Sequence, residues 1–239
     1  MTTAAPAATP AAPRVLHPSE VDWSALRQVY PESDGKPMAD NTRQFRYIQT
    51  IVGGLEAQFR DEPNVFVAGD FLWYPVEGHP EICQAPDAMV VFGRPKGDRG
   101  SYAQFIEGGI GPQVVFEVLS PNNSAPEMAR KRAFYEQYGV EEYYEYDPDR
   151  GQLRGWQRRD GRLELIPQMR GWISPRLGVR FDLEDGVLAL FHPDGRRFLS
   201  YAVLALEHDQ AQVVAEQQRE RAERLAERLR ALGIDPESV

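Results

Sequence analysis

Residues 114–119 decide the fold of this chain, and they read Val-Val-Phe-Glu-Val-Leu. An apolar run of this length predicts a strand, and strands of this kind usually lie in a sheet that is covered on both faces. Glu117 interrupts the run in its middle. A carboxylate inside a buried strand costs free energy unless it is paired, hydrogen-bonded or bound to a metal. Glu117 is therefore a candidate functional residue, or else a side chain on a solvated face of the strand.

A helix and two further strands are predicted before this segment. The helix follows an N-cap at Asp40 or Asn41 and extends to about Phe59, because apolar residues recur there every three or four positions. The strands are expected at Val65–Tyr74 and Asp87–Phe92. The second strand opens with a carboxylate, so a second acidic side chain stands at the edge of an apolar strand.

A second helix and several strands are predicted after the segment. Ser124 and Glu127 fit a capping box, and they predict a helix that ends near Tyr138. The alternation of helices and strands predicts an α/β or α+β domain with a mixed sheet. The later strands are expected at 140–146, at 153–158 and 162–166 as a hairpin, and at 179–182 and 187–191.

Both ends of the chain differ in composition from its middle. Residues 1–13 are almost entirely Ala, Pro and Thr, and we expect them to be disordered. Residues 14–205 are expected to form the main domain and residues 206–239 a helical extension. The extension carries a thin apolar stripe, which predicts a short coiled coil and hence a homodimer. The stripe consists of Leu225, Leu229 and Leu232.

Composition excludes several classes of protein. The 239 residues carry a net charge of −9, which argues against a non-specific coat on nucleic acid but is compatible with a local metal site. Cys83 is the only cysteine, so a disulfide framework or a cysteine-based zinc site within one chain is excluded. No apolar segment reaches membrane-spanning length and no secretory signal is visible, so the cytoplasm is the expected location.

Asp87, Glu117 and Lys131 are the candidates for chemistry. If the strands that hold the two carboxylates are neighbours, both groups lie at one sheet edge and can coordinate one Mg²⁺ or Mn²⁺. Asp87 could instead cap a turn. Lys131 is one of only three lysines among 27 basic residues, and its ammonium group could orient or deprotonate a water. It could equally form a salt bridge with Glu127, four positions earlier.

The order of these motifs gives a family resemblance. Together they resemble a large bacterial restriction endonuclease domain family, abundant in cyanobacteria, in the PD-(D/E)XK nuclease-like superfamily. The resemblance extends from about Asp40 to Ile166, and Leu225–Pro236 resembles the C-terminal extension of many members. The segments that carry it are Pro86–Val91, Val115–Pro121, Lys131 with Tyr135, and Tyr138–Pro148.

The resemblance implies an α/β (α+β) fold with a restriction-endonuclease-like core, in which helices flank a central mixed sheet and a long C-terminal helix follows. It implies that Asp87 and Glu117 are metal ligands and that Asp70, on the preceding strand, faces the same site. Otherwise Asp70 is a polar residue on a half-exposed strand. The superfamily's lysine would fall at position 119, where this chain has Leu119. The resemblance implies that Lys131, on the following helix, takes its role.

The sequence leaves two functions open. The first is a metal-dependent endonuclease, in which Mg²⁺ or Mn²⁺ activates water for hydrolysis of nucleic acid, with DNA as the favoured substrate. The second is an inactive nuclease fold that oligomerises or binds a partner through its C-terminal helix. The arginine-rich segment 154–162, which includes Trp156, is a candidate phosphate-contacting patch. A solvent-exposed hairpin with cross-strand ion pairs is the simpler interpretation of that segment.

Overall fold

The computed structural model describes residues 15–35, 37–231 and 235. The chain forms two compact units, of which the first ends at Phe198 and the second begins at Leu199. The expected disordered segment 1–13 and the stripe residue Leu232 lie outside the described residues. The division of the chain into domains at 13/14 and 205/206 stays a prediction. Within the described residues, no helix has both the length and the apolar character needed to span a membrane.

Within the described residues, the first unit contains three α-helices and all the strands. The helices are α1 Trp23–Val29, α2 Thr42–Gln58 and α3 Ala125–Gln137, with short 3-10 helices at Pro18–Glu20 and Gln104–Ile106, and the second unit contains α4 Tyr201–Ala231. The strands are β1 Val65–Ala68, β2 Trp73–Tyr74, β3 Ala88–Phe92, β4 Tyr102–Ala103, β5 Val114–Val118, β6 Glu142–Asp147, β7 Gln152–Arg159, β8 Arg162–Leu165, β9 Trp172–Ile173, β10 Arg180–Glu184 and β11 Val187–Phe191.

The central sheet has six strands in the order β1-β3-β5-β6-β7-β8. Strands β5 and β6 are parallel, whereas the other neighbouring pairs are antiparallel. Strands β9, β10 and β11 form a second, antiparallel sheet, and β2 pairs with β4 in parallel. The mixed central sheet and the long helix α4 confirm the fold class predicted from the sequence.

The two faces of the central sheet pack against different helices. Side chains that alternate along each strand point to opposite faces. Phe116 and Val118 on β5 join the hydrophobic core that contains Ile51 of α2. Val115 on the same strand joins the core that contains Tyr135 of α3. The alternation therefore places Glu117 on the α3 face of a sheet that is covered on both sides, as the apolar run predicted.

Both predicted helix starts are confirmed by their caps. The Asn41 side chain accepts hydrogen bonds from the backbone of Arg43, at 3.0 Å, and Gln44, at 2.9 Å. Ser124 and Glu127 form the expected capping box at the start of α3. Such caps fix where a helix begins because they satisfy backbone N–H groups that have no partner in the helix.

The strand predicted at Val65–Tyr74 is interrupted, and this correction bears on the site. Strand β1 ends at Ala68, and the chain then turns through Asp70, whose φ is +46°. A Cβ on Gly69 would lie 2.8 Å from the Val52 side chain and 3.2 Å from the Asp87 carbonyl oxygen. The absence of a side chain at Gly69 thus lets this turn pack against α2 and the start of β3. After the turn, Trp73 and Tyr74 form β2, which pairs with β4.

Candidate active site

Four charged side chains form one row across the central sheet. Residues Ala88 and Phe116 are partners in the β3–β5 register, so Asp87 lies opposite Glu117. Glu117 is in turn the partner of Glu145 on β6, and Glu145 is the partner of Arg154 on β7. Neighbouring strands are about 4.8 Å apart. Because all four residues share the α3 face, the sheet holds them side by side, and we call them the charged row.

Asp87 stands at the cleft end of the charged row. Its Oδ2 accepts a hydrogen bond of 2.6 Å from the Val118 backbone. From the part of the chain that the structure describes, no hydrogen bond reaches Oδ1. Burial and the neighbouring Glu117 raise the pKa of Asp87 well above its usual value, although Lys131 opposes them. Asp87 therefore has one carboxylate oxygen available to a ligand, and Lys131 is the cation that opposes the upward shift of its pKa.

Glu117 is held by two donors from α3. Its side chain is 3% exposed, and its Oε2 lies 2.8 Å from the Lys131 ammonium nitrogen. The Tyr135 hydroxyl donates a hydrogen bond to Oε1. Burial raises the pKa of Glu117, and this effect outweighs the lowering by Lys131 and Tyr135. Each carboxylate oxygen thus accepts one hydrogen bond and keeps a further lone pair with which it could bind a cation.

Lys131 is a partly buried ammonium group between carboxylates. It pairs with Glu117 across 2.8 Å, whereas Glu127 instead interacts with Asn123 and the Ser124 backbone. Burial lowers the pKa of Lys131, but Glu117 and Asp87 raise it further, so the net shift is upward. Lys131 therefore stays protonated at neutral pH, and it can donate hydrogen bonds but cannot take a proton.

Asp70 lies beside Asp87 at the same cleft. Its backbone N–H donates to the Asp87 carbonyl oxygen at 3.3 Å. Burial and the charge of Asp34 raise the pKa of the Asp70 carboxyl, whereas Lys131 lowers it. The positive φ at this residue turns the chain out of β1 and towards the cleft. Asp70 thus occupies a turn at the site, and not a position on a strand as the sequence predicted.

The cleft has a volume of about 560 Å³. Among the residues that the structure describes, its charged lining consists of five carboxylates and one ammonium group, so it favours positively charged ligands. Asp70, Asp87 and Lys131 line it, whereas Glu117 lies behind Lys131 and is not part of the lining. The other charged residues of the lining are Asp34, Asp40 and Glu127.

The chemistry of these donors fits a hard divalent cation. Across the described ranges, no three His, Cys, Asp or Glu side chains are grouped so that they could enclose a metal. Mg²⁺ does not require such a cage, because it usually keeps several waters and takes one or two carboxylates together with phosphate oxygens. Asp87 offers an available oxygen, Asp70 is its neighbour, and Glu117 lies opposite Asp87 across the strand pair.

Comparison with known proteins identifies the family. Residues 33–190 match the Uma2 family, which is described as "putative restriction endonuclease". This chain belongs to the Uma2 family. Among solved structures, it is similar to the crystal structure of a "putative nuclease" of DUF820 from Anabaena variabilis, with 14% identity and a TM-score of 0.42, covering 60% of this chain and 79% of that one. No curated protein matches the chain.

Membership of the Uma2 family supports a nuclease function in general. The matched segment contains every residue of the charged row together with Asp70, Lys131 and Tyr135. The family resemblance predicted from the order of the sequence motifs is thereby confirmed.

Two residues of the candidate site have little or no signal in the sequence. Tyr135 has a hydroxyl that is buried and donates a hydrogen bond to Glu117. Its position four residues after Lys131 was the available signal, because such residues share one helix face. Glu145 has no such signal in the sequence, because it is one of two glutamates on β6. Only the register of β5 and β6 shows that Glu145, and not Glu142, lies beside Glu117.

Proposed function

We propose that this Uma2-family protein is a metal-dependent endonuclease that hydrolyses phosphodiester bonds, with DNA as the favoured substrate. The observation that carries the proposal is the direct pairing of Asp87 with Glu117 across β3 and β5, with Lys131 bonded to the glutamate. Buried like charges are costly in a fold that needs them only for packing. Their presence at an acidic cleft is accounted for by a cation and a phosphate.

The protein side chains divide the work of binding and charge balance. Asp87, through its available Oδ1, and Glu117 would hold Mg²⁺ or Mn²⁺, with Asp70 as a third oxygen ligand from its turn. A bound divalent cation supplies Lewis acidity, which lowers the pKa of a water and offsets charge on a phosphate. Tyr135 keeps the Glu117 carboxylate in one orientation throughout.

Lys131 orients water and stabilises negative charge in this proposal. Its ammonium group is protonated and has three N–H donors, only one of which is needed for Glu117. Donors that are already in place cost no reorganisation when charge develops on the phosphate. Leu119, at the position of the superfamily's lysine, is buried and apolar. Lys131 supplies an ammonium group beside the same glutamate from α3.

The first experiment measures nicking of supercoiled plasmid DNA by the full chain with Mn²⁺ or Mg²⁺. We expect cleavage by the wild type and its loss in Asp87→Asn, Glu117→Gln and Lys131→Met. The matched control is Asp61→Asn, which removes a carboxylate that is 87% exposed at the end of α2, and it should cleave like the wild type. Cleavage that survives in Asp87→Asn and Glu117→Gln would contradict the proposal.

A second candidate function is supported by α4. Tyr201, Leu206 and Val213 on this helix are 84%, 57% and 58% exposed, and apolar side chains in such numbers are typical of a surface that binds another chain. In this alternative, the protein is an inactive nuclease fold that oligomerises through α4. A homodimer is compatible with both functions. The cytoplasmic location expected from the sequence stays a prediction.

A further inference from the structure

A second groove lies between α3 and the β7–β8 hairpin. Its volume is about 760 Å³, and it is lined by Arg132 of α3 together with Arg154 and Arg162 of the hairpin. Trp156 forms part of its wall. Lys131 lines the acidic cleft, and the next residue, Arg132, lines this groove. The two surfaces therefore adjoin α3 from different sides. Carboxylates predominate in the cleft, whereas arginines line the groove.

Three arginines and two glutamates line the groove. Within the described part of the chain, neither Arg132 nor Arg162 forms an ion pair, and the Arg132 guanidinium lies 5.1 Å from the centre of the Trp156 ring. Of the two glutamates, Glu136 accepts a hydrogen bond from the Leu163 backbone N–H at 2.7 Å and keeps its charge. The chain has a net charge of −9, so three arginines in one groove are a local exception.

Arg154 connects the groove to the charged row. Its guanidinium forms an ion pair with Glu145, whose side chain is 4% exposed, while 52% of the Arg154 side chain remains exposed. The buried carboxylate anchors the guanidinium, and Arg154 lines the groove with about half of its side chain exposed. A guanidinium fixed in this way suits a phosphate, because its planar donors match two phosphate oxygens.

We propose that this groove binds the DNA backbone at a phosphate that does not react, with Arg132, Arg154 and Arg162 as the contacting residues. The inference rests on the proposed nuclease function and adds a substrate-binding surface to it. Trp156 is only 5% exposed, so it serves as a support for Arg132 and not as a platform for a base. Contacts to phosphate alone position DNA without reading its sequence.

The test is the salt dependence of DNA binding by the full chain. Fluorescence anisotropy with a labelled duplex of about 20 base pairs, in EDTA to prevent cleavage, gives Kd between roughly 50 and 300 mM salt. Each phosphate contact contributes about 0.9 to the slope of log K against log salt, or roughly eightfold in affinity near 0.1 M. We expect Arg132→Gln and Arg162→Gln each to lose about this much in slope and in affinity.

The matched control is Arg60→Gln, which makes the same change of charge. Arg60 lies outside the groove, is 77% exposed and pairs with Asp61, and its loss should leave the slope unchanged. Arg154→Gln alone would leave Glu145 buried without a countercharge, which is strongly destabilising. We therefore use the double variant Arg154→Gln/Glu145→Gln, which should bind DNA as weakly as Arg132→Gln.

The outcomes separate this inference from the proposed function. Slopes for Arg132→Gln and Arg162→Gln equal to that of Arg60→Gln, or a wild type without salt-dependent DNA binding, would overturn the groove. Mn²⁺ binding by calorimetry should be unchanged in both groove variants, because neither residue lines the cleft. If these variants lose DNA affinity while no variant of Asp87 or Glu117 changes metal binding, the groove stands and the proposed metal site fails.

Discussion

Burial of the carboxylates in the charged row costs free energy, and nearby donors and cations offset this cost to different extents. Glu117 accepts hydrogen bonds from Lys131 and Tyr135. Glu145 forms an ion pair with Arg154 and accepts a hydrogen bond of 3.0 Å from the Tyr143 hydroxyl. Among the described residues, the Val118 backbone N–H is the only hydrogen-bond donor to the Asp87 carboxylate. Since an uncompensated buried charge destabilises a fold, the remaining imbalance lies at Asp87, where the proposed cation would bind.

Asp87→Asn should stabilise the metal-free protein at neutral pH. Burial and Glu117 raise the pKa of Asp87, so the folded state holds this proton to a higher pH than the unfolded state does. The free energy of unfolding therefore falls as pH rises from the unfolded pKa through the raised folded pKa, by about 1.4 kcal/mol for each unit of the shift. The asparagine side chain does not ionise, so the free energy of unfolding of this variant does not fall with pH for this reason.

Urea unfolding in EDTA at acidic and at mildly alkaline pH measures this effect. The stability advantage of Asp87→Asn should grow with rising pH, whereas Asp61→Asn at the exposed end of α2 should show no such trend. An asparagine variant that is less stable than the wild type at every pH would show that the Asp87 carboxylate stabilises the fold.

Tyr135→Phe isolates the hydrogen bond that orients Glu117. The ring remains stacked on Trp73, at 6.4 Å between centroids, but Oε1 of Glu117 loses its donor. We expect a loss of about 1–3 kcal/mol in the free energy of unfolding and weaker Mn²⁺ binding. Tyr138→Phe is the control, because its hydroxyl contacts only Gln137 among the described residues. Equal metal affinity in the two variants would contradict an orienting role for Tyr135.

At the scale of elements, local pattern was sufficient wherever a single segment determines its own structure. The helix caps at Asn41 and Ser124 and the apolar strand β5 were predictable, because each depends on neighbours along the chain. The placement of Asp87 opposite Glu117 follows from strand pairing, which the sequence allowed but did not specify. The charged row as a whole was beyond local pattern, because it depends on the register of four strands.

The break after β1 was missed for a related reason. Residues 65–74 are rich in strand-forming side chains, and the propensity of the run favours one strand. The contact of Gly69 with Val52 and with the Asp87 carbonyl decides otherwise, and such a contact between distant segments leaves no periodic signal. Helix α1 and the short strands β4 and β9 were not predicted either, because they are too brief to show a period.

Gly69→Ala tests whether this close approach supports the site. The new Cβ would lie 2.8 Å from the Val52 side chain and 3.2 Å from the Asp87 carbonyl oxygen, so the turn must shift, at a cost of about 1–3 kcal/mol in stability. The control is Gly53→Ala on α2, where nothing lies within 4 Å and helix propensity predicts a gain of up to about 1 kcal/mol. Thermal unfolding should separate the two; equal effects would contradict the packing argument.

At the scale of the whole molecule, the second unit is a long helix with exposed apolar side chains. Leu204 and Val214 are 51% and 55% exposed, like the three side chains named above. Such a helix gains stability when its apolar side chains are covered by another helix. A second copy of α4 is the partner that the predicted coiled coil implies.

Sedimentation of the full chain and of a chain that ends at Ser200 tests this association. The shorter chain retains all strands of the first unit. We expect a dimer for the full chain and a monomer for the shorter one, with unchanged plasmid nicking per site if dimerisation is separate from chemistry. A monomer in both cases would contradict association through α4.

Titration calorimetry with Mn²⁺ tests the central claim most directly, because it requires no knowledge of the substrate. The wild type should bind close to one ion per site, because Asp87 and Glu117 would both act as ligands. Asp87→Asn and Glu117→Gln should each lose this binding, whereas Asp61→Asn should retain it. Equal Mn²⁺ binding by all four proteins would contradict a metal site at Asp87 and Glu117.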